Sequence, residues 1–137
     1  MKRTEVIFWA LVGTFVLILS MFFISPVREF FQGSLLFLLP FIIFSLLGIV
    51  LIFFTIKEKI KGMLKKILIL TGASALGFFV FAVLHNLFYG LEVATQQPVF
   101  GLLHALFFII SVFICPLGFV IGTVSSMVLF VKKTTKK

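Results

Sequence analysis

LLFLLPFIIFSLLGIVLIFFTI, residues 35–56, runs straight into KEKIKGMLKK, residues 57–66, and then into ILILTGASALGFFVFAVLHNL, residues 67–87. Two apolar blocks flank ten residues that carry five lysines. A helix rises ~1.5 Å per residue and the hydrocarbon core of a bilayer is ~30 Å thick, so about twenty apolar residues make one crossing. Each block therefore reads as one membrane span, and the lysine-rich segment as the loop joining them. Lipid is the solvent such blocks require, because a helix there satisfies its own backbone amides and carbonyls.

Two further apolar runs lie outside this pair, Val6–Ile24 and Val99–Val131. The whole chain of 137 residues is then a single all-α membrane domain, a four-transmembrane-helix bundle. The fourth run spans 33 residues, too long for one untilted crossing and too short for two. Either it tilts and kinks at Pro116, which frees the Val112 carbonyl four residues earlier, or Val99–Leu106 forms an interfacial segment outside the hydrocarbon. Composition agrees with lipid: 62% of residues are hydrophobic and 12% charged, against about 25% charged in soluble domains.

Basic residues set the orientation. Lys2 and Arg3 precede the first span, five lysines fill the loop at 57–66, and Lys132, Lys133, Lys136 and Lys137 close the chain. With four crossings these 11 of the 12 basic residues share one side, leaving Arg28 beside Glu29 on the other. The positive-inside rule then puts both termini and the middle loop in the cytoplasm, in the inner (plasma) membrane of a prokaryote. Trp9 and Tyr89 stand near span ends as belt aromatics do. Lys2-Arg3 before an apolar run resembles a signal peptide, but Ser20–Pro26 offers no Ala-x-Ala-like cleavage site, so the run is read as a retained span. The lysines at 57–66 and 132–137 lie against anionic headgroups, at about 1 kcal/mol each near the surface.

Several function classes are excluded by what is missing. Cys115 is alone in an apolar run, so there is no disulfide framework and no CxxC motif. The net charge of +8 lies in clusters flanking spans, with no aromatic-interleaved basic face for nucleic acid. There is no phosphate-binding glycine loop, no Ser/His/Asp set and no pair of intramembrane carboxylates. Small four-span multidrug exporters carry an acidic residue within the first span, whereas Glu5 stands at its edge. No arginine row marks a voltage sensor.

Spans three and four carry matching stripes. Thr71, Ser74, Phe78, Phe81 and His85 recur at spacings of three and four, as do His104, Phe108, Ser111, Cys115, Gly118, Gly122 and Ser125. Such spacing puts each set on one helical face. Polar groups avoid lipid and small residues let backbones approach, so the two faces should meet. Ala73-x3-Gly77 and Gly118-x3-Gly122 are the candidate packing motifs. With an antiparallel turn near Ala94 and Thr95, His85 and His104 fall at similar depth, near Asn86, Tyr89 and Glu92. A mixed His/carboxylate cluster suits zinc or copper, and two facing histidines suit haem iron. The structural reading of these histidines leads, with metal ligation by His85 and His104, and Glu92 as a further ligand, as the alternative.

The segment Leu70–Gly90, with Thr71-Gly72-Ala73-Ser74-Ala75-Leu76-Gly77 and Leu84-His85-Asn86-Leu87-Phe88-Tyr89-Gly90, resembles a segment of small prokaryotic membrane proteins of uncharacterised function. The resemblance covers about twenty residues of span three and implies weight on His85 and Asn86, with no activity attached. The expectation is a non-enzymatic accessory or assembly component acting through helix packing, with no cofactor and with a homo-oligomer or another membrane protein as partner. A small transporter or channel subunit is the third reading.

Overall fold

The computed structural model describes residues 2–32 and 35–135, apart from the side chains of residues 133 and 134. Lys136 and Lys137 of the basic tail, and Ser34 of the first outer loop, lie outside the described residues. The first apolar run forms α1 (Lys2–Phe23). Ile24 is extended, and Ser25-Pro26 opens the short α2 (Ser25–Phe31), whose Val27 and Phe31 pack on the core. A 3₁₀ turn (Leu35–Phe37) leads into α3 (Leu39–Lys57), with Pro40 in its first turn, where a missing amide costs nothing. Then come α4 (Gly62–Thr95), α5 (Pro98–Ile109), a π-helical turn (Ile110–Ile114) and α6 (Cys115–Thr134). Four helical stretches, 2–23, 35–57, 62–95 and 98–132, are long and apolar enough to cross a membrane.

The spans match the expected runs in place and differ in extent. Half of the lysine loop is helix, since α4 begins at Gly62. Met63 to Ile67 are good helix formers and Leu64 packs on the core, which outweighs the poor fit of lysines to a helix N-terminus. The α3–α4 turn is then only four residues, with Lys59 and Gly62 at φ 52° and 70°. The left-handed conformation of Gly62 is one that glycine adopts without penalty. At the other end α4 runs on to Thr95, and the hairpin turns at Gln96, whose left-handed backbone donates its N–H to the Glu92 carbonyl at 2.7 Å. Pro98 starts α5.

Pro116 accounts for the π turn. It cannot donate to Val112, and the helix ahead of it widens so that the Cys115 N–H reaches the Ile110 carbonyl. The fourth run thus stays helical from Pro98 onward, with its irregularity immediately ahead of Pro116.

The central helix α4 packs on α3 along one side and on α5 and α6 along another, while α1 packs on α3. The α3–α4 crossing is closest at Gly48 and Gly72, where a β-carbon on either glycine would come within 2.6–2.7 Å of the other's carbonyl oxygen. The core is phenylalanine-rich: Phe15, Phe44 and Phe119 join α1, α3 and α6 at centroid separations of 4.6–5.9 Å. At the end bearing the lysine loop, Glu58 accepts hydrogen bonds from the Thr4 hydroxyl at 2.5 Å and the Thr4 amide at 3.4 Å, tying α3 to α1. Around this core the surface is apolar, with Leu, Ile, Val and Phe exposed on every long helix. Phe23 and Leu35 are 82% and 87% exposed. A surface of this kind is stable against hydrocarbon and aggregates in water.

Candidate functional site at the α4–α5 hairpin

The two stripes meet, residue against residue. Thr71 lies against Gly122 and Ser74 against Gly118. The Cys115 thiol lies over Gly77, 3.0 Å from where a β-carbon would be. The Ser111 hydroxyl donates to the Phe78 carbonyl at 2.9 Å, which ties the π turn to α4. Phe81 stacks on Phe107 at 5.8 Å. Gly77, Gly118 and Gly122 are therefore packing residues of the α4–α6 crossing. Ala73 is exposed and takes no part; its neighbour Gly72 makes the close approach, to α3. Ser125 is half-buried, and the fully buried hydroxyl on this part of α6 is Ser126, which with Thr123 has no hydrogen-bond partner.

Further along the hairpin, away from the lysines, His85 and His104 come together with ring centroids 5.3 Å apart. His85 stands 13 residues beyond Gly72, about 20 Å along α4. Its Nδ1–H donates to the His104 carbonyl at 2.8 Å, and the Nε2–H of His104 donates to Glu92 Oε2 at 2.9 Å. These partners assign the tautomers, since a carbonyl and a carboxylate can only accept. In its neutral form each ring keeps one lone pair, on Nε2 of His85 and on Nδ1 of His104. The latter atom is buried without a partner. Tyr89 meets His104 edge-on at 5.5 Å and Phe108 flanks His85 at 5.2 Å.

Gly101 makes room for this chain of contacts: a β-carbon there would stand 2.5 Å from Glu92 Oε1. Glu92 opens onto a recess of about 570 Å³ at the hairpin tip, lined also by Tyr89, Gln96 and Gln97. Asn86 is exposed and donates to the Ala82 carbonyl one turn back at 2.8 Å. Glu29 is exposed on α2. Among the described residues no three His, Cys, Asp or Glu side chains are grouped as a metal ion requires. The sequence points to His85, His104 and Glu92 through the stripe and the turn. It gives no sign of Gly101, Gly48 or the Thr4–Glu58 link, because each depends on which residue of another helix lies opposite.

A second feature was not foreseen. Between α1 and α6, on the hairpin side of Phe15, Phe44 and Phe119, lies a cavity of about 610 Å³ with almost entirely apolar walls. Comparison with known protein families, with characterised proteins and with solved structures gives no match.

Proposed function

We propose that this chain is a non-enzymatic multi-pass membrane component of the plasma membrane, with both termini cytoplasmic, that acts by helix packing against another membrane protein or a second copy of itself. The lysines that flank α1, α3, α4 and α6 support the orientation and would rest on anionic headgroups. The observation that carries the reading is the α4–α5 hairpin. At 34 residues α4 is about 51 Å long, against about 29 Å for the 19 residues of α3. The hairpin outruns its neighbours, is pinned by the His85–His104–Glu92 contacts, and carries exposed apolar side chains such as Val93, Val99 and Leu102. Exposed apolar surface on a rigid arm is what a docking element presents. The polar groups deeper in the bundle support the same reading, since Thr55, Thr71 and Ser111 spend their hydroxyls on backbone carbonyls. None is left as a row of acids or bases for moving protons or ions.

Photo-crosslinking in cells tests this. A crosslinker placed at Leu102 should yield a discrete protein adduct, and one at the lipid-facing Val16 should not. Equal labelling at both positions, or turnover or flux by the purified protein alone, would reject the proposal.

One observation favours a second reading. Each histidine has one ring N–H fixed by an acceptor and one lone pair free, the arrangement in which metal-bound histidines are usually held. His85 and His104 would then bind a zinc or copper ion with solvent completing the shell and Glu92 orienting the His104 ring, or haem iron. Stoichiometric metal or a Soret band in the purified protein, lost in His85→Ala, supports this reading. Sub-stoichiometric metal and no Soret band, unchanged in His85→Ala, would end it.

A further inference from the structure

We propose that the cleft between α1 and α6 is a binding site for one acyl chain of an anionic phospholipid, whose headgroup is held by Arg28. The inference rests on reading the four helices as membrane spans and is independent of what docks on the hairpin. Near the lysine end the α1–α6 seam is closed by Phe8 against Phe130, and at mid-height by Phe15 against Phe119. Beyond Phe119 the seam opens into the cavity of about 610 Å³, bounded by Phe22 and Phe23 of α1 and by Phe108 and Val112 ahead of α6. Among the described residues its polar wall groups are the Ser74 hydroxyl and the Cys115 thiol.

An apolar cavity of this size holds no stable water, so in a bilayer it fills with hydrocarbon. Length selects the filler. From Phe108 to Phe119 is 11 residues, about 16 Å of helix, and half of a ~30 Å hydrocarbon core is ~15 Å, the depth of one leaflet's chain. Charge selects the headgroup. Phe22 and Phe23 are exposed at the cleft's rim, and five residues past Phe23 stands Arg28 on α2, the single basic residue at this end among the described residues. An arginine there matches a phosphate with a planar pair of donors. Glu29 follows it on the helix and projects about 100° away.

Bromolipid quenching in nanodiscs made with equal parts of phosphatidylglycerol and phosphatidylcholine tests the proposal. Two single-tryptophan proteins are built on Trp9→Phe: one adds Phe22→Trp at the cleft, the other Leu17→Trp on the outer face of the same helix. Brominated chains are carried by one lipid class at a time. The cleft reporter should favour phosphatidylglycerol about fivefold, the ratio expected of one basic residue near the surface; the outer reporter should show near parity, and Arg28→Gln should bring the cleft reporter to parity. Equal ratios at both reporters, a preference that survives Arg28→Gln, or a cleft reporter that neither lipid quenches would each overturn the proposal while leaving membrane insertion intact.

Discussion

Gly48 and Gly72 hold α3 and α4 closer together than any side chain would permit. A β-carbon at Gly48 would stand 2.6 Å from a backbone oxygen, which cannot swing aside as a side chain can. Gly48→Leu should therefore destabilise the bundle by about 1–3 kcal/mol, the usual cost of overpacking. Ala73→Leu, one residue from Gly72 but on the exposed face, should leave the thermal midpoint in detergent within a degree or two of the parent. Similar midpoints for the two variants would show that the crossing is not as tight as described. This pair also shows where sequence reading stops. Small residues four apart nominate Ala73 with Gly77, yet Gly77 lies against Cys115 of α6 while Ala73 is exposed, and the close approach to α3 is made by its neighbour Gly72, ~100° round the helix. Spacing finds the face that two stripes share. It does not find Gly72, whose partner lies on another helix and belongs to no repeat.

The helices are tied at their ends by two polar contacts, and each has its own signature. At the lysine end, hydrogen bonding that includes the Thr4 hydroxyl and amide lowers the Glu58 carboxyl from its ordinary 4.5 to about 2. A depressed carboxylate stabilises the fold fully above its unfolded value, and that contribution is lost as pH falls from about 4.5 through 2. The site is open to water, so the effect should stay below about 1 kcal/mol. Thermal unfolding followed by Trp9 fluorescence should lose stability between pH 6 and pH 3, and Glu58→Gln should lose less; identical acid sensitivity would remove Glu58 from the explanation. At the other end, Glu92→Ala strips His104 of its acceptor. Losing a hydrogen bond to a charged group costs about 1–3 kcal/mol, so amide exchange across residues 85–104 should rise roughly 5- to 150-fold if that segment opens as a unit. Unchanged exchange would mean that Phe81, Phe88 and Phe107 hold the hairpin unaided. The meeting of His85 with His104 was legible, because an antiparallel turn and two stripes of the same period leave little freedom. The length of α4 was not: charge patterning divides loop from span at the lysines, whereas helix propensity carries the backbone through them to Gly62.

Taken as one object, the molecule is apolar inside and out. Phe8, Leu11, Phe44, Leu51 and Phe119 fill the core, small and hydroxyl residues such as Gly48, Gly72 and Thr71 sit where helices cross, and the exterior is covered by Leu, Ile, Val and Phe. An apolar exterior is what lipid as a solvent calls for, and close backbone approach at small residues is how helices join in that solvent. The four spans were legible because twenty-residue apolar runs have no other stable home. The α1–α6 cleft was not, since cavities are what side chains leave unfilled, and nothing in the order of residues along α1 tells which neighbour will be missing. Topology in intact cells tests the whole picture, using a membrane-impermeant maleimide on Cys115→Ala protein carrying either Val93→Cys at the hairpin or Lys59→Cys at the lysine loop. The hairpin position should label from outside, and the loop position only after permeabilisation. Labelling of the loop from outside, or of both positions from the same side, would contradict four crossings with the lysines within.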